Sequence, residues 1–253
     1  MRYAVLADIH ANLHALDAVL EPVRSEGVDG YLVAGDLVGY GPFPNECVER
    51  VAGLDAACVA GNHDLIVLGQ LSDDRCIPLA KTSLAWTRDV LRDDARSYLE
   101  GLPRSVDIGP VVIAHGSLDD PQEYTRTPEQ AIAQLVQLER EPLEARTLIV
   151  GHTHRPWACD ETGREPERRG ALALSNERLL LNPGAVGQSR EFRVRARYLL
   201  LDLDRGVAEF RAVGYDTRAC REALRGRGLS PSSNHLRPTV RGAVRRVRRA
   251  IGV

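Results

Sequence analysis

The chain has 253 residues, 43% of them hydrophobic, enough for one large domain or two small ones with real cores. No apolar run approaches the roughly 18–20 residues of a membrane-spanning helix, and Met1–Asp8 lacks the basic start and cleavage site of a secretory leader. The net charge of −2 hides an uneven split: eight arginines and no acid follow Glu222, leaving 25 basic against 35 acidic residues in the body, a balance that argues against nucleic acid as the partner.

In chain order, residues 3–7 read as a short buried strand. Residues 14–25 follow as a helix, with Leu16, Val19, Leu20 and Val23 at helical spacing. A second strand is expected over 31–34, a helix over 44–51 with Pro44 in its first turn, and a third strand over 56–60. Helices over 79–91 and 94–102 lead to a strand at 111–114, a helix at 128–139 and a strand at 147–150. After Pro156 the pattern turns to strands at 171–175 and 178–182, and a hairpin of 197–202 with 207–212. Alternation first and strands later predict a layered α/β/β/α sandwich, two packed mixed sheets with outer helices. Five dispersed cysteines (Cys47, Cys58, Cys76, Cys159, Cys220) without a C-x-x-C pair point to a reducing cytoplasm rather than a disulfide framework or a zinc–thiolate site.

The residues that end the strands carry the chemistry. Asp8-Ile9-His10 follows the first strand, Gly35-Asp36 the second, and Gly61-Asn62-His63-Asp64 the third. His115-Gly116 and Gly151-His152-Thr153-His154 follow the next two, so five of the seven histidines sit at strand C-termini, the edge at which open α/β sheets bind ligands. Each motif alone has a bland reading: Asp8 as a helix cap, a lone histidine as hydrogen-bonded core, G-N-H-D as a turn. Their coincidence points instead to a metal site of carboxylate, imidazole and amide oxygen, which suits Mn²⁺, Fe, Zn²⁺ or Ni²⁺. Asp8, His10, Asp36, Asn62, His115, His152 and His154 are one ligand too many for a single octahedral ion. Two divalent ions sharing a bridging carboxylate fit the count and keep positions for substrate.

The ordered motifs D-x-H, G-D, G-N-H-D, H and G-H-x-H resemble the calcineurin-like metallophosphoesterase superfamily over roughly residues 3–220. Gly35–Glu46, His115–Ser117 and Asn182–Gly187 are similar to a bacterial and archaeal branch related to diadenosine tetraphosphatases and serine/threonine phosphatases. The resemblance implies that Asp8, His10 and His154 hold one metal, that Asn62, His115 and His152 hold the other, and that Asp36 bridges them. It implies His63 facing the substrate as proton donor or charge stabiliser, and hydrolysis by metal-bound hydroxide. The departures matter. Protein phosphatases read G-D-x-V-D-R-G, whereas Gly39 and Tyr40 stand here in place of that Asp and Arg; Arg155 and Arg190 are candidates to bind phosphate instead. Tyr40, Phe43, Tyr124 and Phe192 are candidate stacking aromatics on the loops 40–45, 118–124 and 187–195. Ala11 stands where D-x-H-G is common, Asn12 reads as a helix cap, and His14 as an exposed first-turn residue.

The expected activity is hydrolysis of phosphate ester or phosphoanhydride bonds in a small molecule: a dinucleoside polyphosphate, nucleotide or phosphodiester. A nuclease, a protein phosphatase and a non-catalytic scaffold resembling the retromer subunit are the alternatives. Residues 1–228 read as the metallophosphoesterase domain and 229–253 as linker and helix. Thr239 caps that helix, Val240, Val244, Val247 and Ile251 form one stripe, and Arg241, Arg245, Arg246, Arg248 and Arg249 fill the other faces. Docking of the stripe on the domain or on a second copy in a homo-oligomer is expected, rather than binding to a membrane. His235 has no motif around it.

Overall fold

The computed structural model describes residues 1–140, 145–167, 170–174, 177–191 and 193–233. Phe192, His235 and the expected C-terminal helix lie outside the described residues. Among the described residues eleven strands and seven helices follow one another as β1 (Arg2–Leu6), α1 (Leu13–Ser25), β2 (Gly30–Val33), α2 (Pro44–Ala52), β3 (Ala57–Cys58), α3 (Asn62–Val67), α4 (Pro78–Val90) and α5 (Asp93–Glu100). Then come β4 (Ser105–Asp107), β5 (Val111–Ala114), α6 (Pro128–Arg140), β6 (Thr147–Ile149), β7 (Trp157–Asp160), β8 (Ala171–Ala173), β9 (Leu179–Asn182), β10 (Ala196–Asp202), β11 (Val207–Val213) and α7 (Thr217–Gly226).

The strands form two mixed sheets, ordered β3-β2-β1-β10-β11-β8 and β4-β5-β6-β9-β7. β1, β2 and β3 run parallel in the first, and β5, β6 and β9 run parallel in the second. Side-chain alternation sorts the layers, because successive residues of a strand face opposite sides of its sheet. Val5 and Leu32 of the first sheet meet Ile113, Ile149 and Leu181 of the second in a shared core. From the same β1 strand Ala4 and Leu6 face outward onto Leu16, Val19, Leu20 and Val23 of α1. On the far side Val112, Leu148 and Leu180 pack against Ala131, Leu135 and Leu138 of α6. The result is the expected α/β/β/α sandwich, with parallel strands of both sheets delivering their C-termini to one rim.

Four elements escape the sequence pattern. β4 and β7 have three and four residues, too short for a periodic signal. α3 starts inside what reads as a turn, at Asn62. α7 is arginine-rich and buries only Cys220 and Leu224. Asn12 does cap α1, accepting from Ala15 N at 3.2 Å. His14, expected to be exposed, is half-buried with its ring edge on Phe43. Leu229, in the expected linker, is buried with Cys220 and Leu224, and the Gln188 side chain donates to the Ser233 carbonyl at 2.6 Å. The five cysteines are free thiols. No described helix is long and apolar enough to cross a membrane.

Candidate metal centre

The rim where the strands end is built under backbone strain. Eight described non-glycine residues adopt a left-handed φ, and five of them are Asp8, His10, Asp36, His152 and His154. An L-residue there crowds its own Cβ, so such positions persist only when the surroundings enforce them, and they cluster at functional sites. The loops interlock through their main chains: Asp8 N bonds to the Gly35 carbonyl, His10 N to Asp36, Val186 N to Ala7 and Gly187 N to Asp8. Gly61 is required by close approach, since a Cβ there would lie 2.1 Å from Asp36 Oδ1. Asp64 ties the same turn together: its two oxygens accept from Val38 N at 3.0 Å and Gly61 N at 2.9 Å.

Two groups of buried ligand atoms result, Asp8, His10, Asp36 and His154 in one and Asp36, His115 and His152 in the other, each within 4.8 Å mutually. Asp36 belongs to both. Its Oδ1 accepts from His63 N at 2.8 Å, while Oδ2 lies 3.5 Å from His10 Nε2 and 3.3 Å from His115 Nε2. The Asn62 amide oxygen is 3.0 Å from His115 Nε2. All seven side chains named from the motifs are therefore brought to one place.

Whether these residues fit a metal is decided by where the imidazole protons sit. A carbonyl can only accept, so His10 Nδ1 (3.2 Å from Val38 O), His154 Nδ1 (2.9 Å from Gln188 O) and His115 Nδ1 (2.7 Å from Ala34 O) each carry a hydrogen. In the neutral rings the Nε2 lone pairs then point inward. His10 Nε2 and His154 Nε2 confront each other at 3.1 Å, and His115 Nε2 faces an amide oxygen and a carboxylate. Asp8 Oδ2, Asp36 Oδ2 and His152 Nε2 are buried with no hydrogen-bond partner among the described residues. Buried acceptors converging without a donor are costly, and a cation among them removes the cost. Backbone carbonyls on the far nitrogen are also the usual means of orienting metal-bound histidines.

The electrostatics agree. Burial holds His10 and His154 neutral, well below the ordinary imidazole range, and lowers His152 to about 3. Burial pushes Asp8 up to about 7. Burial also opposes charge on His115, but the Asp36 carboxylate beside it, with Asp8 further off, raises it to about 9, so that a proton stands where a cation would serve.

The family model described as calcineurin-like phosphoesterase matches residues 1–185. The chain belongs to this family. An uncharacterized protein of Methanocaldococcus jannaschii is 31% identical over 226 residues, 87% of this chain and 90% of the relative. A metallophosphoesterase from Sphaerobacter thermophilus superposes with a TM-score of 0.79 at 35% identity, over 93% of this chain and 98% of that one. A hypothetical protein from Pyrococcus horikoshii OT3 shares the fold, with a TM-score of 0.75 at 20% identity over 92% and 95%. As a calcineurin-like phosphoesterase, the chain carries a candidate Asp/His metal site at the ends of its parallel strands.

A cavity of about 340 Å³ lies over this cluster, lined by Asp36, Asn62, His63, His152 and His154 below and by Tyr40, Tyr124 and Arg190 above. Gly39 has a φ of +84°, and a Cβ there would stand 2.3 Å from His63 Nδ1, so this position leaves no room for the carboxylate of the protein phosphatases. The Tyr40 ring instead lies 4.7 Å from the His63 ring and 4.8 Å from His10. Arg190 reaches the cluster, whereas Arg155 is exposed and lines a neighbouring cavity. Phe43 turns away, packing on His14 and under the Arg227 guanidinium. Gln188, whose carbonyl holds His154 Nδ1 at 2.9 Å, directly follows the Asn182–Gly187 motif and carries no residue signal of that role. Asn182 opens that motif, but its role shows only in the structure: its amide donates to the Gly151 carbonyl at 2.6 Å and so fixes the G-H-x-H turn.

Proposed function

We propose that this phosphoesterase is a dimetal hydrolase of small phosphate esters or anhydrides. Asp8, His10 and His154 would hold one divalent ion and Asn62, His115 and His152 the other, with Asp36 between them; Mn²⁺ suits this oxygen- and imidazole-rich set, with Fe, Zn²⁺ and Ni²⁺ as alternatives. Such a pair of ions polarises phosphate oxygens and brings the pKa of water near neutrality. His63, in the cavity wall, supplies a proton or hydrogen bond to the leaving oxygen as the P–O bond breaks and a water oxygen replaces it on phosphorus. Arg190 and the Asn62 amide contact the phosphate, with Arg155 further out. Residues 1–228 form the catalytic domain in this reading, and 229–253 an assembly or stability element of a cytoplasmic protein.

The carrying observation is the convergence of buried Asp8 Oδ2, Asp36 Oδ2 and His152 Nε2, none with a hydrogen-bond partner among the described residues, beside the facing Nε2 atoms of His10 and His154. Metal analysis together with hydrolysis of bis(p-nitrophenyl) phosphate tests it. About two ions per chain and metal-dependent turnover are expected; an ion-free protein after manganese loading, or full turnover in chelator, overturns it. With Gly39 and Tyr40 in place of Asp and Arg, kcat/KM on phosphoserine peptides is expected to fall below that on small diesters and dinucleotides. The reverse ranking would favour a protein phosphatase.

A further inference from the structure

A second cavity, of about 480 Å³, adjoins the first, and Tyr124 and Arg190 line both. Its volume is that of a small-molecule site. Three guanidinium groups border it, those of Arg126, Arg155 and Arg190, together with the ring of Trp157 on β7. Two acids also border it. Glu191 is engaged by Arg197 through two bonds of 2.6 and 2.8 Å, which leaves Glu165 as the opposing charge and the cavity net positive. Arg190 stands at the partition with its Nε buried and without a partner among the described residues; the hydrogen bond from its Nη1 to the Thr153 carbonyl is long at 3.5 Å. A buried guanidinium N–H with no acceptor marks a place where an anion completes the structure. Tyr124 stacks at 4.2 Å on His152 of the metal cluster and is itself bordered by Arg126 at 5.4 Å, so one aromatic residue connects the two cavities.

We infer that the second cavity is a subsite for another phosphate group and the flat ring attached to it. The preferred substrate is then a nucleotide-like molecule whose leaving group itself bears phosphate, rather than a simple monoester or diester. Guanidinium forks match phosphate oxygens in pairs, and the faces of Trp157 and Tyr124 offer stacking to a base. This inference rests on the first cavity being the reaction site, but its test does not need turnover.

The chain has two tryptophans, and Trp86 packs beside Cys220 and Leu224, away from both cavities. In a Trp86→Phe protein the emission of Trp157 therefore reports the second cavity. Metal-free protein is titrated with adenosine 5′-diphosphate, with adenosine and with inorganic phosphate. Saturable quenching is expected with the diphosphate, at least tenfold tighter than with adenosine. Arg126→Ala combined with Arg155→Ala, both at the surface, is expected to weaken the diphosphate at least tenfold with an unchanged melting curve. Equal affinity for diphosphate and adenosine, or no loss in the double variant, overturns the subsite. In the metal-loaded protein the ratio of kcat/KM for a dinucleoside polyphosphate over bis(p-nitrophenyl) phosphate is expected to fall at least tenfold in the same variant, and an unchanged ratio overturns the inferred preference. A protein that binds the diphosphate at Trp157 yet hydrolyses nothing refutes the catalytic reading alone; one that hydrolyses the diester without such binding refutes the subsite alone.

Discussion

The two ligand groups that meet at Asp36 are braced differently. In the first, His10 and His154 are each fixed through Nδ1 by a main-chain carbonyl, and Asp8 accepts from His152 N at 3.0 Å. In the second, His115 is held in the same way by Ala34, but no main-chain carbonyl among the described residues holds the His152 ring, which lies instead against the Tyr124 ring at 4.2 Å. Tyr124 is 36% exposed. One group is thus oriented by the backbone of interlocked loops, and the other leans on a side chain in the wall that substrate approaches. We expect the first ion to be retained and the second to exchange, which places adjustability on the substrate side.

The largest loss is expected at the residue common to both groups. Asp36→Asn is expected to abolish turnover and to lower the metal content from about two ions to one or none in a protein that still folds; full activity with two ions would refute the bridging role. Next in size, His63→Ala is expected to lose roughly 10²–10⁴-fold in kcat while keeping both ions, and loss of metal in this variant would make His63 a ligand instead. Removal of metal with chelator is expected to lower Tm, because the converging acceptors lose their counter-charge. Ligand at about a hundred times Kd stabilises by about 2.7 kcal/mol, or about 5–10 °C for a chain of this size, and calorimetry of the two forms measures it. Tyr124→Ala sharpens the asymmetry: about tenfold weaker retention of one ion only is expected in competition with a chromogenic chelator, at the low end of effects from groups that orient ligands. Smallest is deletion of residues 236–253, expected to alter Tm or oligomeric state while activity per folded, metal-loaded molecule survives.

Much of this was readable in the chain because strands and ligands announce themselves together. Asp8, Asp36, Asn62, His115 and His152 each follow a short apolar run, and those runs are β1, β2, β3, β5 and β6. What was not readable lies in groups without a residue signature. The carbonyls of Val38, Ala34 and Gln188 that fix three imidazoles could belong to any amino acid. The contact between Gly39 and His63 appears only when β2 and β3 are side by side. The second cavity draws Arg126, Arg155, Trp157 and Arg190 from separate loops and from β7, a strand too short to show a period. The left-handed backbone was equally hidden, since aspartate tolerates it and histidine gives no notice of it.

That backbone has a consequence for how the protein can change. Each non-glycine residue in such a conformation costs of order 1–3 kcal/mol, and Asp8, His10, Asp36, His152 and His154 all bear it. Glycine at any of the five would relieve it, so random substitution has a thermodynamic gradient running away from the chemistry and towards a sturdier, inert sandwich. His10→Gly, measured without metal, should therefore melt no lower than the parent despite the side chain it removes. A chain that keeps five aspartates and histidines at such positions is one in which the ligands are held against the preference of the fold.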